Sequence, residues 1–168
     1  MKCVWIGVGV AINEENVLYS DLLGMRSVLD KKYGNGSKAK FHLNLYDLAV
    51  PEGNIDRITE SLSRIVVGLR NTPVAITNIG YFPFGAVFIQ LEKNPHLLAL
   101  HESVVEAIYP LRGDCVDPTY LESKRKYSER QEIMLAKYGN PFVLEEFNPH
   151  ITLGFVRDAQ KLEVVKKE

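Results

Sequence analysis

Four side chains in two short stretches have the types and the spacing that acid–base chemistry needs. They are His42 and Asn44 in K-F-H-L-N-L-Y-D-L (40–48), and His150 and Thr152 in N-P-H-I-T-L-G-F (148–155). Alternate side chains of a strand project from one face, about 6.6 Å apart along it. Each histidine therefore shares a face with the hydrogen-bonding residue two positions on. Phe41, Leu43 and Leu45 back the first pair, and Ile151 and Leu153 back the second. Histidine titrates near pH 6.5, so a pair can hold one neutral and one protonated ring at neutral pH. One ring then takes a proton while the other gives one, and the neighbouring hydroxyl or amide N–H holds a phosphoryl oxygen. That set suits in-line displacement at a phosphodiester, where charge grows on the nonbridging oxygens. A lone His-x-Thr on a strand is usually structural; two such pairs at matching places in one chain make the signal. Asn44 adds to it, because asparagine is depleted in strands. Tyr46 falls on the His42 face if the alternation continues, which makes it a further candidate to contact substrate.

The elements that must position these residues follow from hydrophobic period. Val4, Ile6, Val8, Val10 and Ile12 alternate with Gly7, Gly9 and Ala11, predicting a strand with something packed close over its glycines. Leu18, Leu22, Met25 and Leu29 predict a helix over 14–32, stopped by Gly34. Asn54 is expected to cap a second helix whose stripe runs through Ile55, Ile58, Leu62, Ile65, Val66 and Leu69. Residues 74–80 and 86–92 predict a hairpin through Y-F-P-F-G. Asn94 and Pro95 open a third helix, followed by a polar helical insertion over about 110–141. Within it, Asp117-Pro118 opens one short helix, and Ser128 with Gln131 forms a capping box for another that Gly139 ends. Strand, helix and histidine strand thus occur in the same order in both halves, a degenerate two-fold repeat within one domain over 1–168. The expected class is α+β with antiparallel sheets.

Composition narrows the function classes. The chain has 168 residues, 46% hydrophobic and 24% charged, with a formal net charge of −1. A long nucleic-acid duplex needs a basic excess that is missing here; a small phosphorylated ligand or an RNA end does not. The run Lys124, Arg125, Lys126 is nearly balanced by Glu122, Glu129 and Glu132 and is expected to be a solvated face. Cys3 and Cys115 form no metal spacing and no disulfide framework, and are expected to be reduced thiols in a cytoplasmic protein. No apolar run approaches the ~20 residues of a membrane span. His96 and His101 stand five apart, not at the i+3 or i+4 spacing of a helical metal pair, so solvated or capping roles are expected. Tyr81 and Phe82 fit base stacking and core cover equally well.

N-P-H-I-T-L-G-F strongly resembles the second signature of the two-histidine (2H) phosphoesterase superfamily, which includes bacterial 2′-5′ RNA ligases and cyclic nucleotide phosphodiesterases. F-H-L-N-L-Y-D-L stands where the first signature belongs, and the likeness in element order runs from residue 3 to about 157. The tract S-E-R-Q-E-I-M-L-A-K-Y-G-N-P-F-V-L-E-E-F resembles the branch found with phosphonate-metabolism genes, which carries an extra helical insertion before its second histidine. The resemblance implies a bilobal, pseudo-two-fold fold, each lobe an antiparallel sheet with packed helices, and an active cleft between lobes with no metal or cofactor. His42 and His150 match the family histidines and Thr152 the family threonine. Asn44 replaces the usual Thr or Ser; its amide still donates to a phosphate oxygen, but it cannot rotate a hydroxyl to suit. The implied activity is opening of a 2′,3′-cyclic phosphate on a nucleotide or RNA end, or the reverse 2′-5′ ligation, by a monomer without a membrane partner. Two alternatives are a non-catalytic phosphate- or nucleotide-binding module and a small-molecule cyclic phosphodiesterase linked to phosphonate metabolism.

Overall fold

Every alternating stretch becomes a strand in the structure, a computed structural model that describes residues 2–34, 38–67, 73–122, 126–156 and 158. Leu69, Lys124 and Arg125 lie outside the described residues. The strands are β1 (Cys3–Ala11), β2 (His42–Pro51), β3 (Ile76–Tyr81), β4 (Ala86–Leu91) and β5 (His150–Phe155). The helices are α1 (Tyr19–Tyr33), α2 (Ile55–Val67), α3 (Pro95–Ile108), α4 (Pro118–Leu121) and α5 (Glu129–Tyr138). The α+β class holds. A separate sheet for each half does not: all five strands share one sheet, in the order β1-β2-β5-β4-β3. The reason is the last strand. β5 pairs antiparallel with β2 on one edge and with β4 on the other, so the edges of two would-be sheets are joined through it.

The chain divides into two compact units, and neither is a sequence half. One comprises Met1–Val8, Leu45–Val74 and Lys93–Asn148; the other comprises Gly9–Asn44, Ala75–Glu92 and Pro149–Glu168. In the second unit, α1 packs on β5. Leu22, Leu29, Phe41, Leu43, Ile151 and Leu153 are buried there, each worth about 1.5–3 kcal/mol by removal from water. α1 begins later than its apolar spacing predicts. The Oδ1 of Asn13 accepts from the Glu15 N–H and that of Asn16 from the Leu18 N–H, turns that compete with helical bonding.

In the first unit, α2 packs on α3. The α3 residues Leu97, Val104, Val105 and Ile108 are buried, as are Leu48 and Val50 of β2. Ile58 is the buried anchor of α2, whereas Val66 is exposed. Local chemistry sets the helix ends. Asn94 caps α3 through the Leu97 N–H, Asp117 caps α4 through Thr119, and Ser128 and Gln131 form the reciprocal box that opens α5. Gly139 ends α5 at φ 75°, the left-handed position glycine favours. Asn54 is a correction: its amide donates to the Leu111 carbonyl and its Oδ1 accepts from Arg57, a tertiary tie in place of the expected cap.

The cysteines are a second correction. Cys3 and Cys115 form a disulfide across a sequence separation of 112, their Cα atoms 5.9 Å apart. The thiols are therefore not reduced, and the cytoplasmic placement that leaned on them loses that argument. Among the described residues, no helix is long and apolar enough to cross a membrane.

Candidate active site

The backbone brings the two histidine pairs together. Leu43 of β2 is the partner of Ile151 of β5. In an antiparallel ladder that register sets Asn44 opposite His150, and His42 opposite Thr152. Directly opposite side chains stand about 4.5–5.5 Å apart at Cβ, and diagonal ones about 7–8 Å. The four polar residues thus occupy the corners of one patch on one face, with each histidine beside the other strand's hydrogen-bonding residue. The arrangement is symmetric about the Leu43–Ile151 pair. All four belong to the same compact unit, so this patch lies on paired strands of a single sheet, where the sequence led us to expect a cleft with one histidine on each side.

His150 is clamped by its surroundings. The Pro149 carbonyl, one residue before it, accepts from the Leu91 N–H at 3.0 Å and from the Gln90 side-chain amide at 2.9 Å. Three residues after it, the register of β5 against β4 shifts: Thr152 pairs with Phe88, but Gly154 pairs with Val87, leaving Leu153 as the extra residue of a bulge. Arg26 of α1 holds that bulge, its Nε 2.7 Å from the Leu153 carbonyl and its guanidinium 3.7 Å over the Phe41 ring. The His150 ring itself lies 5.1 Å from Phe82, edge to face, and 4.9 Å from Phe88. Gly80 stands opposite Phe88 and makes room for its ring; a Cβ on Gly80 would come within 2.5 Å of the Phe88 Cζ.

His42 is exposed and its tautomer is set by the backbone. Its Nδ1 sits 3.0 Å from the Lys40 carbonyl oxygen. A carbonyl only accepts, so Nδ1 carries the hydrogen of that bond. In the neutral ring Nε2 then holds the lone pair, which is the state a proton acceptor requires. Gly9 of β1 lets the strands approach at this point, since a Cβ there would meet the Leu43 carbonyl at 2.6 Å. The close packing over the β1 glycines expected from sequence is the backbone of β2 at Gly9 and the side chains of Asp47 and Trp5 at Gly7.

Tyr46 does not share the face of His42 as the alternation predicts. It is only 1% exposed, its hydroxyl donates to the Tyr138 carbonyl, and burial pushes its pKa up. The alternation of β2 breaks at Leu45 and Tyr46, which are both buried, so the Tyr46 ring joins the core and leaves the exposed face that His42 occupies. His101 is the histidine that sequence misjudged. It is 1% exposed; its Nδ1 donates to the Leu45 carbonyl and its Nε2 accepts from the Leu144 N–H, both at 2.8 Å. It stacks on Phe147 at 3.8 Å. Desolvation lowers its pKa to about 4, against the opposing effect of the Leu45 bond. It is a core strut. Gln90, Phe88 and Gly80 were missed because their positions beside His150 depend on strand order, which no local pattern encodes.

No curated protein matches the chain. Residues 24–168 match the family described as the 2′-5′ RNA ligase superfamily. That span takes in both histidine motifs and most of the sequence, and with the paired histidine strands it places this chain in the 2′-5′ RNA ligase superfamily.

Proposed function

We propose that the chain is a metal-independent cyclic phosphodiesterase that opens the 2′,3′-cyclic phosphate of a nucleotide or RNA end, with 2′-5′ ligation as the variant in which a 5′-hydroxyl takes the place of the attacking water. The observation that carries this reading is the Leu43–Ile151 register, which sets two histidines diagonally on one face with a hydrogen-bonding residue beside each. A spacing of about 7–8 Å at Cβ leaves room for one phosphoryl group between the rings. His42, with its Nδ1 hydrogen turned to the Lys40 carbonyl, takes the proton of the attacking water at Nε2. His150 protonates the ribose oxygen as the bond from phosphorus to that oxygen breaks. Thr152 and Asn44 donate to the nonbridging oxygens, where charge accumulates. The product is a phosphomonoester beside a free hydroxyl. A cyclic diester suits the site because its reacting atoms arrive already joined and oriented.

The test is turnover of a panel of 2′,3′-cyclic nucleotides in excess EDTA by the wild type and by His42→Ala and His150→Ala. Each substitution is expected to lower the rate by about 10²–10⁴; a loss under about tenfold in both removes the acid–base assignment. A second reading rests on Asn44, which replaces a hydroxyl residue: a module that binds the phosphate without turnover. Binding of a cyclic nucleotide with no monoester formed would select it.

A further inference from the structure

One side chain outside the histidine patch is bonded to the backbone of both segments that carry it. Arg26 of α1 is half-buried and belongs to the same compact unit as His42, Asn44, His150 and Thr152. Its Nε donates to the Leu153 carbonyl at 2.7 Å, and its Nη1 donates to the Ala39 carbonyl at 2.8 Å. The same guanidinium lies 3.7 Å over the Phe41 ring, which Tyr19 meets edge to face at 5.9 Å. Leu153 stands three residues after His150, and Ala39 three residues before His42. Continued one pair beyond His42 and Thr152, the Leu43–Ile151 register sets Phe41 opposite Leu153. Arg26 thus sits on the pair next to the patch.

Both attachment points are places where the sheet itself supplies little. β2 begins only at His42, and a strand end frays unless something ties it down. The bond from the Ile12 N–H to the Phe41 carbonyl, at 2.9 Å, is one tie, and Arg26 is another. On β5, Leu153 is the extra residue of the bulge, and a bulge takes its residue out of ladder pairing. Arg26 gives that carbonyl a donor. The consequence for His42 runs through Lys40. The Ala39 carbonyl lies just before Lys40 and the Phe41 ring just after it, so the guanidinium holds both flanks of this residue. The Lys40 carbonyl is the one that takes the His42 Nδ1 hydrogen, at 3.0 Å. A planar guanidinium presents its N–H groups in a fixed fork, so it spans two carbonyls while lying flat on a ring; an ammonium offers one nitrogen on a flexible stem.

We infer that Arg26 is a positioning residue for the acid–base pair: by tying the approach to His42 to the bulge after His150, it holds the Lys40 carbonyl that keeps the His42 hydrogen on Nδ1. Its effect on rate rests on the phosphodiesterase reading, whereas its effect on the His42 ring does not. Arg26 acts through backbone carbonyls, so kcat carries the effect and KM does not.

The experiment combines long-range proton–nitrogen NMR spectra of isotope-labelled histidine, at about pH 8.5 where an ordinary imidazole is neutral, with kcat and KM for adenosine 2′,3′-cyclic phosphate. The His42 signal is assigned by its absence in His42→Gln. Wild type, Arg26→Met, Arg26→Lys and Leu22→Val, a core substitution on the same helix, are compared, each with its urea midpoint. Wild-type His42 should carry its hydrogen on Nδ1; a ring without that preference overturns the inference at once. Arg26→Met should lose the preference and lose about 10- to 100-fold in kcat, the scale of a displacement of about 1 Å, with KM near the wild-type value. Arg26→Lys keeps the charge over Phe41 but not the bridge, so it should fall between the two, and it carries the test if Arg26→Met does not fold. Leu22→Val should lose stability and keep both the Nδ1 hydrogen and kcat. Where the wild type turns the substrate over, either Arg26 variant matching it in both readouts overturns the inference and leaves the phosphodiesterase standing. So does a change in one readout without the other, or an equal rate loss in Leu22→Val at a similar midpoint. Where the wild type shows no turnover, a His42 hydrogen that follows Arg26 keeps the brace while the phosphodiesterase falls, and one that ignores Arg26 removes both.

Discussion

His101 should make folding stability fall steeply below neutral pH, and the sign follows from its hydrogen bonds. In the neutral ring Nδ1–H donates to the Leu45 carbonyl and Nε2 accepts from the Leu144 N–H. A protonated ring would aim a second N–H at that N–H donor, in a site with 1% exposure and with the Lys93 charge adding to the penalty. The folded protein therefore resists the proton, and the pKa falls from 6.5 to about 4. Stability from this group is complete above pH 6.5, declines as the pH drops toward about 4, and is flat below. At about 1.4 kcal/mol per pH unit the full loss is roughly 3 kcal/mol, a large part of a typical domain's stability. Urea unfolding of the wild type and of His101→Gln at several pH values between 7 and 4 measures it. The variant should be less stable at pH 7, because a buried donor or acceptor left unpaired costs about 1–3 kcal/mol, and its stability should fall less between pH 6.5 and 4. Parallel pH dependences in the two proteins would refute the argument. So would a rate loss in the folded variant comparable to that of His150→Ala, since His101 holds the core and does not touch the reacting atoms.

Two further outcomes follow from particular contacts. Gly80→Ala puts a methyl against the Phe88 ring, which must shift and so disturb its contacts with Phe82 and His150. Overpacking of this kind costs about 1–3 kcal/mol, and activity should fall with it; Phe88→Leu in the same protein should restore part of both, and no recovery would argue against ring displacement as the cause. Reduction of the Cys3–Cys115 bond, or replacement of both cysteines by serine, frees a loop of 112 residues' separation. Stability should drop by about 2–5 kcal/mol, read as a lower urea midpoint with dithiothreitol; an unchanged midpoint would show that the crosslink does not constrain the unfolded chain.

Local chemistry was legible where neighbours in sequence are neighbours in space. The caps at Asn94, Asp117 and Ser128 and the stop at Gly139 needed only side chains reaching backbone two or three residues away. The stripe of α2 was readable at Ile58 but not at Val66, which stays exposed. Asn54 misled because it has the right type for a cap, while its amide is recruited by the distant Leu111 carbonyl.

The His-x-Asn and His-x-Thr spacings, the alternation that turns each pair to one side of a strand, and the match to the superfamily over residues 24–168 are properties of the chain itself, because period and side-chain type are local. Tertiary structure alone decided that β5 enters between β2 and β4, and with it that Asn44 faces His150 and Phe88 flanks it. It also buried Tyr46, made His101 a strut and joined Cys3 to Cys115. Each of these depends on residues far apart in sequence being brought within a few ångströms, and free energy of that kind comes from packing and strand pairing between distant segments, which no single stretch encodes.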